Sequence, residues 1–315
     1  MNYYSNGKLL LTGEYLVLDG AKSLAIPTRF GQNLQVSEIT EPQLLWQSFT
    51  VDHQCWFEAS FNLRKLRLTS ATFNSENQGS GDAIAETLLD ILTEAKRLNP
   101  SFLNTDKGIA VKTKLTFPRK WGLGSSSTLI NAIANWAKVD AFQLLWNSFK
   151  GSGYDIACAQ NDHPIFYQIK KDFSTIPKLT PIVATVAFKP NFTKNLFFVY
   201  LNQKQDSKEG IAKFRESTQD FSREIQRISE LSEAFTTATN LQEFEHFLIE
   251  HEQIISSIIQ LTPVKEQYFS DYFGAIKSLG AWGGDFVLAT GDEKTPDYFK
   301  SKGYQTVIPY DEMVL

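Results

Sequence analysis

The segment Pro118-Arg119-Lys120-Trp121-Gly122-Leu123-Gly124-Ser125-Ser126-Ser127-Thr128 sets closely spaced glycines beside a run of hydroxyl residues, between an alternating strand and a small-residue helix. Glycines let backbone N–H groups converge. At the N-terminus of a helix the unpaired donors and the dipole favour phosphate, so the segment reads as a phosphate cradle formed by Gly122, Leu123, Gly124, Ser125, Ser126 and Ser127. A strand-to-helix turn with a serine N-cap accounts for the same residues. The chain has no Gly-x-x-x-x-Gly-Lys-Ser/Thr and no Gly-x-Ser-x-Gly, which excludes a Walker loop and disfavours a hydrolase nucleophile elbow.

Three further segments carry chemistry-bearing residues. In Gly151-Ser152-Gly153-Tyr154-Asp155-Ile156-Ala157 an aspartate sits in a tight glycine turn, where it can accept a hydroxyl proton; a plain turn-forming aspartate is the alternative. In Gly7-Lys8-Leu9-Leu10-Leu11-Thr12-Gly13-Glu14-Tyr15, Lys8 stands at the lip of an apolar strand. It can neutralise phosphate or depress a neighbouring pKa, or serve only as a solvated strand end. Gly280-Ala281-Trp282-Gly283-Gly284-Asp285-Phe286 clusters glycines before a strand, suiting either close approach to a ligand or a turn. His246 and His251 are five apart on a helix and point to different faces, which argues against a zinc pair and makes them surface or packing residues. Arg64-Lys65-Leu66-Arg67 is a small basic cluster that reads as a solvated strand edge, with service to a phosphate as the alternative.

The elements that must position these residues follow from periodicity. Leu9 to Phe61 is strand-like and punctuated by Gly13, Gly20, Pro27, Gly31 and Pro42, with Tyr15–Leu18 read as one of the strands. Ser80 to Asn99 repeats apolar residues at helical spacing and is stopped by Pro100. Ile109, Val111, Thr113, Leu115 and Phe117 alternate as a strand, Thr128–Ala137 forms a helix, and Asp140 caps another reaching Phe149. Strands are expected over 164–169, 182–188 and 196–201, and helices over 211–235, 241–259 and 264–277. Strands at 286–290 and 305–309 close the chain. The Pro- and Lys-rich stretch near 170–181 is the expected domain seam, dividing the chain into 1–175 and 176–315.

With 315 residues, 42% hydrophobic and 21% charged, the chain is of ordinary globular composition, which excludes disorder, collagen-like and coiled-coil architectures. A net charge of -4 is too mild for general adhesion to nucleic acid or anionic membrane, so any anion site is local. Two cysteines, no membrane-length apolar run and no signal-like start predict a cytoplasmic protein.

Taken in order, these segments resemble the motifs of the GHMP kinase family: an N-terminal substrate segment, a Pro-x-x-x-Gly-Leu-Gly-Ser-Ser nucleotide loop and a C-terminal glycine-rich segment. Gly13-Glu14-Tyr15 is similar to phosphomevalonate kinases, where mevalonate kinases carry His after Gly-Glu, and Gly153-Tyr154-Asp155-Ile156-Ala157 resembles the bacterial GYDIA-type subgroup. The resemblance implies an α+β, two-domain fold, with a ribosomal S5 domain 2-like N-terminal domain and a ferredoxin-like C-terminal domain. It implies an ATP- and Mg²⁺-dependent kinase acting on a small mevalonate- or phosphomevalonate-like acceptor, without nucleic-acid or membrane partners, and leaves a homodimer open. Asp155 would be the base or hydroxyl-orienting group, with Lys8 its electrostatic partner. Residues 122–127 would hold ATP, with Ser126 at Mg²⁺, while Glu14, Tyr15, Gly153, Gly283, Gly284 and Asp285 would shape the acceptor side. Two departures stand out: Trp282 replaces a glycine of the third motif, and the stretch before Asp155, Phe142-Gln143-Leu144-Leu145-Trp146, lacks the metal-binding acid, for which Glu86 is a stand-in. An ATP-dependent decarboxylase of the same family and a catalytically silent ligand sensor are the rival readings.

Overall fold

The computed structural model describes the chain apart from residues 74–80, 150, 173–177, 204–213, 217–218 and 283. It divides into two compact units, each assembled from interleaved stretches. Unit 1 comprises Met1–Gly7, Phe30–Arg119 and Leu123–Gln160; unit 2 comprises Lys8–Arg29, Lys120–Gly122 and Asn161–Leu315. The expected seam between residues 175 and 176 lies outside the described residues. Strands β7 (Ile165–Asp172) and β8 (Lys178–Thr185) on either side of it pair antiparallel, from Ile165↔Thr185 to Asp172↔Lys178, and both fall in unit 2.

In unit 1, β5 (Arg67–Phe73), β4 (Cys55–Asn62), β3 (Gln43–Phe49), β6 (Gly108–Leu115) and the C-terminal part of β2 (Ser23–Ile39) lie in that order. All neighbours are antiparallel except β3 and β6. The period-two pattern of β6 buries Ile109, Val111 and Leu115 on one face and leaves Lys112 exposed on the other. Helix α1 (Gly81–Leu98) turns Ala85, Leu88, Ile91, Leu92 and Ala95 into a core shared with α2 (Ser125–Ala137) and α3 (Ala141–Ser148). Asp140 caps α3 as its sequence position predicts, its carboxylate accepting from Gln143 N at 2.8 Å.

Unit 2 holds an antiparallel four-stranded sheet of order β10 (Ile276–Ser278), β11 (Phe286–Thr290), β9 (Leu196–Tyr200), β12 (Val307–Pro309), together with helices α5 (Ser222–Thr237) and α6 (Leu241–Ile259). Three expectations change here. Tyr15–Leu18 is not a strand: Leu16–Asp19 forms one 3₁₀ turn with Leu16, Val17 and Leu18 buried, an apolar run too short for periodicity to tell strand from helical turn. The helix expected over 211–235 is not continuous: Phe214 and Arg215 are helical, residues 219–221 are not, with Asp220 accepting from Ser222 N at 3.0 Å, and an unbroken helix runs over Ser222–Thr237; residues 211–213 and 217–218 lie outside the described residues. The helix expected over 264–277 covers only Val264–Tyr268. Gly274 then passes so close to Thr290 that a Cβ would stand 1.9 Å from its carbonyl oxygen, and the chain extends to pair as β10.

Unit 2 also encloses charge. Lys277 on β10 is fully buried; its Nζ pairs with Glu14 Oε1 and donates to Ser278 O at 2.8 Å. Beside it Glu252 of α6 accepts from Ser278 N at 3.0 and 3.1 Å and from Ser278 Oγ at 2.8 Å. Burial outweighs the lysine and these donors, and pushes the Glu252 carboxyl from 4.5 up to about 8. Between those values the folded chain keeps a proton that the unfolded chain has lost, so this group's contribution falls as pH rises from 4.5 towards 8 and is level above it. Glu252→Gln is therefore expected to flatten the decline of stability across that window, read as urea midpoints at its two ends; an unchanged slope would refute the assignment. Lys277→Met leaves Glu14 buried without its cation and is expected to cost about 3–5 kcal/mol in the same denaturation experiment.

Candidate functional site

The glycine-serine loop passes from unit 2 (Lys120–Gly122) into unit 1 (Leu123 onward). Gly122 has φ +67°, and Gly124, with φ 91° and ψ 41°, is the N-cap of α2. Both are conformations that a side chain opposes. Leu123 between them is fully buried and anchors the loop. The helical ladder starts with Thr128 N donating to Gly124 O at 2.9 Å, so the N–H groups of Ser125, Ser126 and Ser127 have no intrahelical acceptor. Ser127 Oγ and Thr128 Oγ1 turn back to Gly124 O at 2.9 and 3.0 Å, and Thr128 Oγ1 also donates to Gln32 Oε1 at 2.7 Å. The inner hydroxyls thus close the turn while Ser126 stays exposed. Convergent N–H donors with an exposed hydroxyl fit a phosphate group.

Also in unit 1, α4 (Tyr154–Ala159) opens after Gly153, φ 94° and ψ -2°, and carries the half-buried Asp155 in its first turn, where Oδ1 accepts from Ile156 N at 3.1 Å. Helices α2 and α4 pack together through Asn131. Its Nδ2 donates to Ser5 Oγ at 2.9 Å and Ala159 O at 3.4 Å, and its Oδ1 accepts from Gln160 at 3.1 Å. The serine turn and Asp155 therefore stand on one packed helix pair.

Unit 2 gathers the first motif, the entry to the loop and the third motif. Lys8 Nζ donates to Gly122 O at 2.9 Å. On the other side of the same glycine is Asp285: a Cβ on Gly122 would lie 2.2 Å from Asp285 Oδ2. Asp285 itself adopts φ 52°, held by hydrogen bonds from its N to Gln203 O at 2.6 Å and from Leu201 N to its O at 2.8 Å. The first motif is a strained turn. Tyr15 has φ 63° and ψ -50°, and Gly13 approaches Ser23 so closely that a Cβ would stand 2.0 Å from its Oγ. Tyr15 Oη donates to Ala281 O at 3.0 Å, and burial raises its pKa to about 12, which keeps the phenol a donor.

Glu14 is fully buried, its carboxyl raised by burial against the pull of Lys277. His251 Nε2 accepts from Gly13 N at 2.9 Å, and burial holds its pKa well below the usual value, so the ring is neutral. Its 3.5 Å approach to Glu14 Oε2 is accordingly not an ion pair, since the Nε2 lone pair is already engaged. Lys277 escaped the sequence reading, although a lysine inside Ala275-Ile276-Lys277-Ser278-Leu279 is the kind of out-of-place charge that marks a buried partner.

Trp282 keeps a glycine-like backbone, φ 51°, but its indole is 1% exposed and packs with Tyr15, Leu16, Leu18, Phe214, Ile228 and Leu231. The bulk at this third-motif position goes into the unit 2 core. Gly284 is buried, and Gly283 lies outside the described residues. Among the described residues no group of three or more His, Cys, Asp or Glu side chains could hold a metal ion, and Glu86 is exposed on α1. No helix among them is long and apolar enough to cross a membrane.

No protein-family model and no curated protein matches this chain. Solved structures do. It is similar to a Methanococcus jannaschii mevalonate kinase (TM-score 0.66, 17% identity, covering 98% of this chain and 96% of that one). It is similar to the Streptococcus pneumoniae phosphomevalonate kinase solved in complex with phosphomevalonate and AMPPNP (0.68, 14%, 98% and 99%). It is also similar to a Lactococcus lactis galactokinase solved with galactose (0.61, 13%, 100% and 93%). Across nearly its whole length the chain has the α+β fold of the GHMP kinases.

Proposed function

We propose that this chain is an ATP-dependent small-molecule kinase of the cytoplasm, transferring the γ-phosphoryl group to a hydroxyl or phosphate of a mevalonate- or phosphomevalonate-like acceptor. The observation that carries the reading is the turn at Gly124–Ser127, where three adjacent N–H donors lack intrahelical acceptors and the Ser126 hydroxyl is exposed, in a chain folded like a phosphomevalonate kinase solved with AMPPNP. In this reading the N-terminus of α2 binds the nucleotide phosphates, and Lys8, tied to Gly122 O, brings a positive charge to the entry of the loop. Asp155 accepts the proton of the acceptor hydroxyl as that oxygen bonds to phosphorus. Mg²⁺, when bound with the nucleotide, supplies charge neutralisation at the phosphate oxygens; Ser126 would hold it.

Glu14 acts from beneath, by fixing the Gly13–Leu16 turn, with Tyr15, Gly153, Gly284 and Asp285 shaping the acceptor side. Tyr154-Asp155-Ile156 supports a place in the GYDIA-type subgroup. The burial of Trp282 in the unit 2 core removes one motive for a silent sensor, since its indole does not fill a ligand space.

Purified protein is expected to release ADP from Mg-ATP with at least one acceptor of a panel containing mevalonate, phosphomevalonate and sugars. Asp155→Asn should lower turnover roughly 10²–10⁴-fold, the range of a general base, with AMPPNP affinity retained. Lys8→Met should likewise cut turnover more than AMPPNP binding. ATP binding with no turnover of any acceptor would favour the sensor, and carbon dioxide release from a diphosphorylated acceptor would identify a decarboxylase. Gly122→Ala, driving a Cβ against Asp285, is expected to weaken AMPPNP binding while leaving the unit 1 helices folded, as read by calorimetry and far-UV circular dichroism.

A further inference from the structure

The outer face of the unit 1 sheet, opposite its helices, carries a trough of about 400 Å³ that the kinase reading does not use. Its floor is set by register. Phe49, Lys114 and Asn33 form one row across β3, β6 and β2, and Gln47, Lys112 and Gln35 form the next. Residues two apart on a strand share a face, so both lysines rise from the middle strand about 7 Å apart along it. Phe49 stands to one side, and Asn2, on β1 (Asn2–Leu10) next to β2, to the other: Met1 exchanges both backbone hydrogen bonds with Val36, which sets Asn2 opposite Gln35 and turns the Tyr3 ring to the core on the helix side. His53, in the β3–β4 turn at φ 61°, leans over the floor, 2.9 Å from Lys114 Nζ through Nε2. An ammonium only donates, so the imidazole is the acceptor and offers Lys114 no compensating charge.

No carboxylate lines the trough, and neither lysine belongs to an ion pair among the described residues. The nearest acid by register, Glu58 on β4, is two strands from Lys112, about 10 Å away, and accepts instead from Gln47 Nε2 at 2.5 Å. By contrast, exposed Lys107 and Lys171 each have an acid partner. In a chain of net charge -4, two ammonium groups outside any ion pair, side by side in a concave surface with Phe49 at one edge, are a local concentration of positive potential. Its volume lies within the range of small-molecule sites.

We propose that this trough is a second binding site, for a phosphorylated small molecule with two or more negative charges and an apolar or ring body. The phosphate oxygens would bridge Lys112 and Lys114, Asn33 and Gln35 would donate or accept at its polar edge, and the body would lie against Phe49. The site stands wholly on unit 1 and does not depend on the kinase reading.

The test is residue-resolved acetylation of the full-length protein followed by mass spectrometry, with inorganic pyrophosphate and 1-naphthyl phosphate as probes. Both probes are expected to slow acetylation of Lys112 and Lys114 about tenfold or more, the factor a 1.4 kcal/mol interaction gives, while Lys107 and Lys171 are unaffected. 1-Naphthyl phosphate should act at lower concentration than inorganic phosphate, a third probe that lacks the ring, and Phe49→Ala should erase that difference. Lys112→Gln with Lys114→Gln should abolish the site's share of calorimetric binding and leave AMPPNP affinity intact. Unchanged acetylation at millimolar probe, or slowing confined to Lys8 and Lys120, would overturn the proposal. So would shielding of the two lysines that follows protein concentration in place of probe concentration, which would make the face a contact between copies.

Discussion

The enclosed pairing of Glu14 with Lys277 is the constraint on which the first motif depends. Tyr15 sits at a positive φ that a non-glycine residue leaves unless its surroundings hold it, a cost of order 1–3 kcal/mol. Glu14 is pinned by Lys277, Gly13 N by His251, and the Tyr15 phenol by Ala281 O, so each residue of the turn is tied to a different element of unit 2. A buried ion pair contributes little net stability over an apolar replacement, but it fixes geometry, since any displacement leaves a charge uncompensated. The conformation of the turn is thus set from below by the α6 and β10 side chains.

The same logic of close approach organises the entry to the glycine-serine loop. Gly122 has Lys8 at its carbonyl and Asp285 where a side chain would begin, so one residue without a Cβ brings a cation and an anion from distant parts of the sequence to its two sides. Where the loop becomes helix, Gly124 takes the left-handed geometry and the hydroxyls of Ser127 and Thr128 satisfy its carbonyl. That leaves the exposed Ser126 hydroxyl beside N–H donors without intrahelical acceptors. Glycine supplies the shape, and hydroxyl placement decides which groups are left to bind.

Much of this was legible in the residues. The alternation of β6, the cap at Asp140, the helix over 241–259 and the glycine-serine turn all express local rules of period and capping, and each stands where the sequence puts it. What local rules could not reveal is tertiary. The Tyr15–Leu18 run is equally apolar as strand or turn, and only Gly13 against Ser23 and the pairing of Glu14 decide it. Lys277, expected as the last residue of a helix, shows its role only through its partner far earlier in the chain. Trp282 looked like an intrusion because its backbone geometry, which sends the indole into the core, is invisible in the residue name.

The interleaving of the two compact units bears on how this protein can be taken apart and altered. Each draws on three separated stretches, and the chain crosses between them at Gly7/Lys8, Arg29/Phe30, Arg119/Lys120, Gly122/Leu123 and Gln160/Asn161. No single cut in the gene excises either unit whole: a fragment ending after Gln160 retains Lys8–Arg29 without the helices and sheet that bury it, stranding Glu14 and Leu16 in solvent. Recombination that exchanges contiguous halves with another chain would meet the same obstacle, whereas transplanting side chains within one unit respects the way the polypeptide is woven.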